Sequence, residues 1–391
     1  NWSILENLHK YGHKVTVFCN APRDGLNEIK EEILEKMYEN LKKIECDVEY
    51  FKDLKLKNKR NFLKKFFSND IENYLPECKY SNQIENILLK KINDKKPDFF
   101  LLEGDTAINH SKNIKIKKVG WCITPVKHLH DIRFKYSKKN PLNLLKYFFI
   151  NLKITNFQKF LVNEFNKLDL KFNFSEDFTV QLYKYGLKDT LHIMPPFYDA
   201  NKILGDFKIK KRSYFKVVII GLMSTVNKSQ LDILTKYVFP EIEKNFLENE
   251  IQFHFIGIYQ NDLPEDIKKK KYVICRGFVD DAHFEIKNSD LFFSVTPEQL
   301  GFRTRICEAL SLGACILTSK FDQISIPFLK NNENCFIVNK IEDSGKLFLE
   351  IMKNKNQIQF IKKNARYAYN NFLSYDTAGK KFNDFITKEV K

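Results

Sequence analysis

The sequence predicts an α/β chain of two doubly wound domains that face each other across a cleft. Three observations carry this expectation. Apolar runs of strand length alternate with helical patterns along the whole chain, as in parallel sheets covered by helices. A Pro-flanked, charged segment interrupts the alternation near its middle. At 391 residues, with 43% hydrophobic and 29% charged, the chain is long and apolar enough for two cores of ordinary size.

The elements follow in order. Asn1–Asn20, NWSILENLHKYGHKVTVFCN, reads as a helix ended by Gly12 and a strand from Lys14 to Cys19. A doubly wound domain normally opens with a strand and a glycine turn before its first helix, so the pattern predicts that both precede Asn1. Further strands are expected at Asp47–Phe51, Phe99–Leu102, Lys118–Ile123 and Phe172–Phe174, with a long basic and aromatic stretch at Leu142–Phe165. Pro195, Pro196 and the charged run Lys202–Arg212 then end the first half. The second half opens with KVVIIGLM at Lys216–Met223. It repeats the pattern through Phe253–Gly257, Val273–Ile274, Leu291–Val295, Ala314–Thr318 and Cys335–Val338, and the tail from Lys362 reads as helix. The expected boundaries are a domain at 1–200, a linker at 201–213, a domain at 214–365 and a closing segment at 366–391.

Composition excludes several classes. The eight cysteines are scattered without CxxC or metal-ligand spacing, several inside apolar patterns, which predicts reduced core thiols in a cytoplasmic protein. No apolar stretch reaches the roughly 18 residues of a membrane span, and no signal-peptide pattern is present. The net charge of +16 is regional: residues 51–150 hold 22 Lys and Arg against 10 Asp and Glu. The densest part, Leu54–Ser68, LKLKNKRNFLKKFFS, places Lys59, Arg60, Lys64 and Lys65 among Phe62 and Phe66. Such mixing suits an anionic membrane surface or a lipid-linked acceptor, and a solvated helix is the alternative. No nucleic-acid-binding motif accompanies the charge.

The most informative stretch is Leu291–Ser319, LFFSVTPEQLGFRTRICEALSLGACILTS. It reads as strand, loop, helix from about Arg303 to Gly313, and strand: the crossover unit of a parallel sheet. Free N–H groups at the helix start favour an anion. Arg303 and Arg305 add positive charge there, while Thr304 and Glu308 share one face at i and i+4. A carboxylate so placed can accept both hydroxyls of a ribose; a surface pair between Arg305 and Glu308 is the plainer alternative.

These landmarks together resemble the group 1 nucleotide-sugar glycosyltransferases, a family of the GT-B fold. HKYGHKVTVF (His9–Phe18), PDFFLLEGD (Pro97–Asp105), FNFSEDFTVQLYKYGL with HIMPPFYD ending at Asp199, VVIIGLMSTVNKSQLDIL, FHFIGI, CRGFVDD, GFRTRICEALSLGACILTS and FLSYDTAGKKFNDFI (Phe372–Ile386) occur in the family's order. The order and the Gly301–Ser319 unit are the specific part. The resemblance implies two Rossmann-like domains facing a cleft. The acceptor would bind the first and the nucleoside-diphosphate sugar the second, with a last helix returning to the first domain. It also implies sugar transfer with retention and without metal or other cofactor, the nucleotide-sugar being a substrate. The expected partners are that donor, a glycan or lipid-linked acceptor and an anionic membrane surface, with cytoplasmic or inner-face peripheral location.

The family's site carries over position by position. Glu308 matches the second glutamate of an E-x7-E pair, implied to bind ribose; the first position is Leu300, with Glu298 two residues earlier as a substitute. The usual Gly-Arg after the first strand of the second domain is Gly221-Leu222, and Lys228 matches the lysine that follows. The expected donor contacts are Gly221, Lys228, Glu298, Gly301, Phe302, Arg303, Thr304, Arg305 and Glu308, with Lys228, Arg303 and Arg305 neutralising the diphosphate. Catalytic candidates in the first domain are Glu103, beside Asp105, and His128, His130 and Asp131 in TPVKHLHD. Three other readings remain: a GT-A-type enzyme holding a cation on the acid-x-acid Glu103 and Asp105, a nucleotide-sugar epimerase of the same fold, and an inactive sugar- or polyanion-binding protein.

Overall fold

The computed structural model describes residues 2–20, 39–51, 82–104, 107–108, 111, 113–121, 125–135, 140–203, 212–221 and 225–390. The basic segment Leu54–Ser68, with Lys59, Arg60, Phe62, Lys64, Lys65 and Phe66, lies outside the described residues, as do Asp105 and Leu222.

In the first domain β1 (Thr16–Asn20) pairs in parallel with β2 (Asp47–Phe51). A second parallel sheet runs in sequence order through β3 (Phe100–Glu103), β4 (Lys118–Trp121), β5 (Leu170–Asn173) and β6 (Leu191–His192). The two-residue β6 has no apolar run to announce it; it exists because Leu191 and His192 extend the ladder of Phe172 and Asn173. The second domain holds β7 (Phe215–Ile220), β8 (Ile251–Ile256), β9 (Val273–Gly277), β10 (Leu291–Phe293), β11 (Ile316–Ser319) and β12 (Phe336–Val338). All six strands are parallel, in the order β12-β11-β10-β7-β8-β9. The chain leaves β7 in one direction to β8 and β9, then returns to its other side at β10. A crevice therefore opens at the carboxyl ends of β7 and β10, where ligands of such sheets bind.

Parallel strands are covered on both faces, which is why they read as continuous apolar runs rather than alternating ones. Every residue from Phe215 to Ile219 is buried. Val217 and Ile219 face one core with Phe253, Phe255, Phe293 and Phe348, and Val218 faces the other with Phe292, Ile306, Leu310 and Tyr369. In the first domain Leu102, Leu161, Phe165 and Leu182 fill one core; Val119, Trp121 and Phe172 fill another. That second core is completed by Phe382 and Ile386 of the last helix, Lys380–Val390. A π turn at Tyr375–Gly379 separates this helix from Lys355–Phe372 and turns the chain toward the first domain. There Asn7 Nδ2 donates to Gly379 O at 3.2 Å, and His13 Nε2 meets Asn383 Oδ1 at 2.8 Å. Cys46, Cys307, Cys315 and Cys335 are buried free thiols and Cys275 a partly buried one. No helix among the described residues is long and apolar enough to cross a membrane.

Candidate active site

The site is built around the helix Thr304–Ser311, which follows β10. Gly301, at φ +76°, makes the left-handed turn before it, and Arg303 is its extended N-cap. Ile306, Cys307, Ala309 and Leu310 press one face into the core, while Thr304 is exposed and Arg305 and Glu308 are half-buried along another. Gly313, at φ +66°, lies just past its end.

Arg303 corrects the expectation of a free phosphate-binding charge. It is 8% exposed. Its guanidinium faces Ser294 O, Thr296 Oγ1 and, at 3.5 Å, the buried carboxylate of Asp322. Burial raises the Asp322 carboxyl above its ordinary range, and Arg303 acts in the opposite direction. The pair ties the loop after β10 to the helix Lys320–Ser325 after β11.

Arg305 lies on the other side. Nη1 donates to Ile220 O, and the guanidinium covers Gly221, at φ +129° just past β7. A Cβ on Gly221 would collide with Nη1, Nη2 and Cζ of Arg305, so glycine is needed both for the turn and for this close approach. Arg305 thus places a cation at the carboxyl end of β7. Burial, and next the charge of Arg303, lower its pKa from the ordinary arginine value. Lys228 is exposed on the helix Thr225–Ile233.

Glu308 stands one turn along. Its Oε1 accepts from Tyr198 Oη at 2.7 Å and from His283 Nε2 at 2.5 Å, while Tyr198 Oη and His283 Nε2 lie 3.1 Å apart. The Glu308 hydrogen bond raises the His283 pKa, partly opposed by burial; the charges of Glu308 and Asp281 act in the same upward direction. Burial, followed by Glu308, raises the Tyr198 phenol. His283 sits on the helix Ala282–Lys287 after β9, and Tyr198 just before the linker. Glu308 is thus held by this three-residue cluster rather than by the alternative surface pair with Arg305. At the same edge of the sheet Tyr259 and Phe278 are exposed rings 5.9 Å apart.

The loop before the helix docks on the first domain. Gly301 N donates to Asp177 Oδ2 at 3.1 Å, and a Cβ on Gly301 would strike the Phe178 ring. His128 Nε2 donates to Gln299 O at 3.0 Å, the only sense possible toward a carbonyl. Glu298 pairs with Lys135, Phe302 packs near Phe174 at 6.4 Å, and Leu300 is half-buried. His128, His130 and Asp131 lie on a helix, Val126–Lys135. His130 stacks on Tyr147 at 5.1 Å, and Asp131 accepts from Lys127 and, at 2.7 Å, from Tyr147 Oη. Burial, then Asp131, pushes the Tyr147 phenol up to about 12. Glu103 is exposed at the end of β3, paired in register with Trp121 of β4, so both candidate groups lie at one carboxyl edge. A cavity of about 410 Å³ opens on the second domain, lined by Lys236, Tyr237, Pro297, Lys320, Phe321 and Lys340 among others, and by none of the expected donor contacts.

Tyr198, His283, Asp177, Lys135 and Asp322 were not singled out from the sequence. Tyr198 and Asp177 fall inside recognised segments, PPFYD and FSEDF, so position could have flagged them. Nothing local marks the pairing of His283 with Glu308, Lys135 with Glu298 or Asp322 with Arg303, which join residues 25, 163 and 19 positions apart.

Two parallel-sheet domains meeting at a cleft are the architecture of GT-B glycosyltransferases, and the GT-A alternative falls with it. Solved structures show the same fold. HepE of Anabaena, in complex with UDP, is 13% identical at a TM-score of 0.65, over 99% of this chain and 95% of that one. A glycosyltransferase from Rickettsia africae is 13% identical at 0.65, over 100% and 93%. Sucrose-phosphate synthase from Thermosynechococcus elongatus is 9% identical at 0.61, over 98% and 91%. Residues 214–354 match the model of the family described as Glycosyl transferases group 1. No curated protein matches the chain by sequence.

Proposed function

We propose that this chain is a hexosyltransferase. It takes a sugar from a nucleoside-diphosphate donor and transfers it, with retention and without a metal, to a cell-envelope glycan, either lipid-linked or polysaccharide. The observation that carries the reading is Arg305 lying over Gly221 with Glu308 one turn away. A fixed cation and a fixed carboxylate then stand side by side at the carboxyl edge of a doubly wound sheet.

In this reading the donor lies across β7 and β10. The Arg305 guanidinium, the exposed Lys228 and the free N–H groups of the helix start neutralise the diphosphate as it departs, stabilising charge where it develops. Glu308 accepts the ribose hydroxyls. Tyr198 and His283 both bind Oε1, which fixes the carboxylate and directs its other oxygen to the ribose. Tyr259 and Phe278 offer ring faces to the base. The acceptor enters from the first domain, where His128, His130, Asp131 and Glu103 are the groups available for proton transfer. HepE structures contain UDP, UDP with glucose, or UDP-glucose, which makes a uridine donor the first to test. The chain works in the cytoplasm, at the inner face of the membrane.

The test is thermal shift with UDP-, GDP-, ADP- and dTDP-sugars, then nucleotide release in EDTA with acceptor extracts. The expected result is stabilisation by one donor class and metal-independent release that requires acceptor. Binding without turnover of any donor would replace this reading by that of a binding protein, which Leu300 at the first glutamate position would favour. Interconversion of free donor without acceptor would replace it by an epimerase.

A further inference from the structure

The helix Pro141–Asn166 of the first domain carries an internal contrast. Leu144, Leu145, Phe148 and Leu152 are 60%, 54%, 64% and 61% exposed. At 100° per residue these four fall within about a third of the helix circumference, so they form one stripe. The same line continued gives Asn156, Lys159 and Asn163, all exposed and polar. The second half of the helix thus presents an ordinary solvated face, opposite a buried one of Ile154, Phe157, Leu161 and Phe165. The first half presents leucine and phenylalanine to solvent instead. Four exposed large apolar residues within nine positions form a contiguous patch, which marks an interaction surface.

Charge indicates what covers it. From Ile132 to Asn163 the sequence holds seven Lys and Arg and no Asp or Glu. A symmetric contact with a second copy would bring two such segments face to face and is disfavoured by their repulsion. A basic segment with an apolar stripe suits an anionic lipid surface, where the charge attracts and the apolar side chains enter the headgroup boundary. The helix also bears on the cleft: its Tyr147 stacks on His130 and Phe134 of the helix whose His128 touches the Gln299 carbonyl.

We propose that the exposed face of Leu144, Leu145, Phe148 and Leu152 docks this chain on an anionic membrane, holding the acceptor side of the cleft at the lipid surface. This rests on the transferase reading only for its purpose. Docking itself needs neither donor nor turnover, so a chain that binds vesicles but transfers no sugar would refute the function and leave the surface standing.

The experiment is co-sedimentation of the full chain with phosphatidylcholine vesicles, with and without phosphatidylglycerol, comparing wild type with Leu144→Ser/Leu145→Ser/Leu152→Ser. The variant leaves the charge unchanged, and its exposed positions predict an unchanged melting temperature. Wild type should bind the anionic vesicles and not the neutral ones, and the triple variant should bind them at least about tenfold more weakly. Equal binding of the two proteins, or no binding by wild type, overturns the proposal. So does light scattering that finds a wild-type dimer dissociated by the variant, which would assign the face to a second copy.

Discussion

Arg303 and Arg305 open the same helix two residues apart and end in opposite surroundings. Arg303 is the extended N-cap and Arg305 lies in the first helical turn, so the two side chains leave the backbone in different directions. Arg303 meets the buried Asp322 and the carbonyl of Ser294, whereas Arg305 lies on Gly221 at the end of β7. One cation holds the loop together and the other lies at the carboxyl end of β7, where the proposed reading puts the diphosphate. Two charges that look equivalent along the chain thus have different surroundings, and the proposed function assigns stability to one and activity to the other.

The largest effect expected is on the core side. Arg303→Ala leaves Asp322 buried without its cation and should cost about 3–5 kcal/mol of stability, read by urea unfolding; a loss of activity without destabilisation would erase the contrast. On the crevice side Arg305→Ala should lower kcat by about 100- to 1000-fold, the usual effect of removing a preorganised charge-stabilising donor. Its melting temperature should change far less than that of Arg303→Ala. Parallel losses of activity and stability would make Arg305 structural as well.

A smaller effect is expected from His283, which acts on Glu308. His283→Ala should raise the donor dissociation constant about tenfold, since a hydrogen bond to a charged group is worth about 1.5–3 kcal/mol. Titration calorimetry would read it. The effect also has a pH signature. Glu308 raises the His283 pKa in the folded state, with Asp281 and Tyr198 the other titratable groups facing the ring. A raised pKa means that the stabilisation is complete below the ordinary value of about 6.5. It is lost as pH climbs through the raised value. The difference in melting temperature between wild type and His283→Ala should therefore shrink with rising pH, and a pH-independent difference would remove protonated His283 from the account. The smallest effect belongs to the loop that meets the first domain. Lys135→Ala breaks an ion pair with an exposed lysine, so a stability change of at most about 1 kcal/mol is expected.

Much of the architecture was legible because parallel strands, buried on both faces, leave unmistakable apolar runs. β2 was legible to the residue, and VVII and FHFI announced β7 and β8. β6 was not, since Leu191 and His192 are strand only by pairing with Phe172 and Asn173. At the site, the helix start, its glycine turn and the position of Glu308 could be read from spacing. The partners of Glu308 could not, because Tyr198 and His283 reach it from elements 110 and 25 residues away.

By itself the sequence determined local matters: the alternation of strand and helix, the breaks at Gly301 and Gly313, and the crowding of positive charge near the helix start. Periodicity and backbone freedom act within a few residues and need no neighbour to be legible. Only the tertiary structure decided which arginine faced the core, why Gly221 had to lack a side chain, and which groups hold Glu308. Those outcomes depend on contacts between distant segments, and burial changes the energetics of a charge according to whether a partner such as Asp322 has been brought beside it.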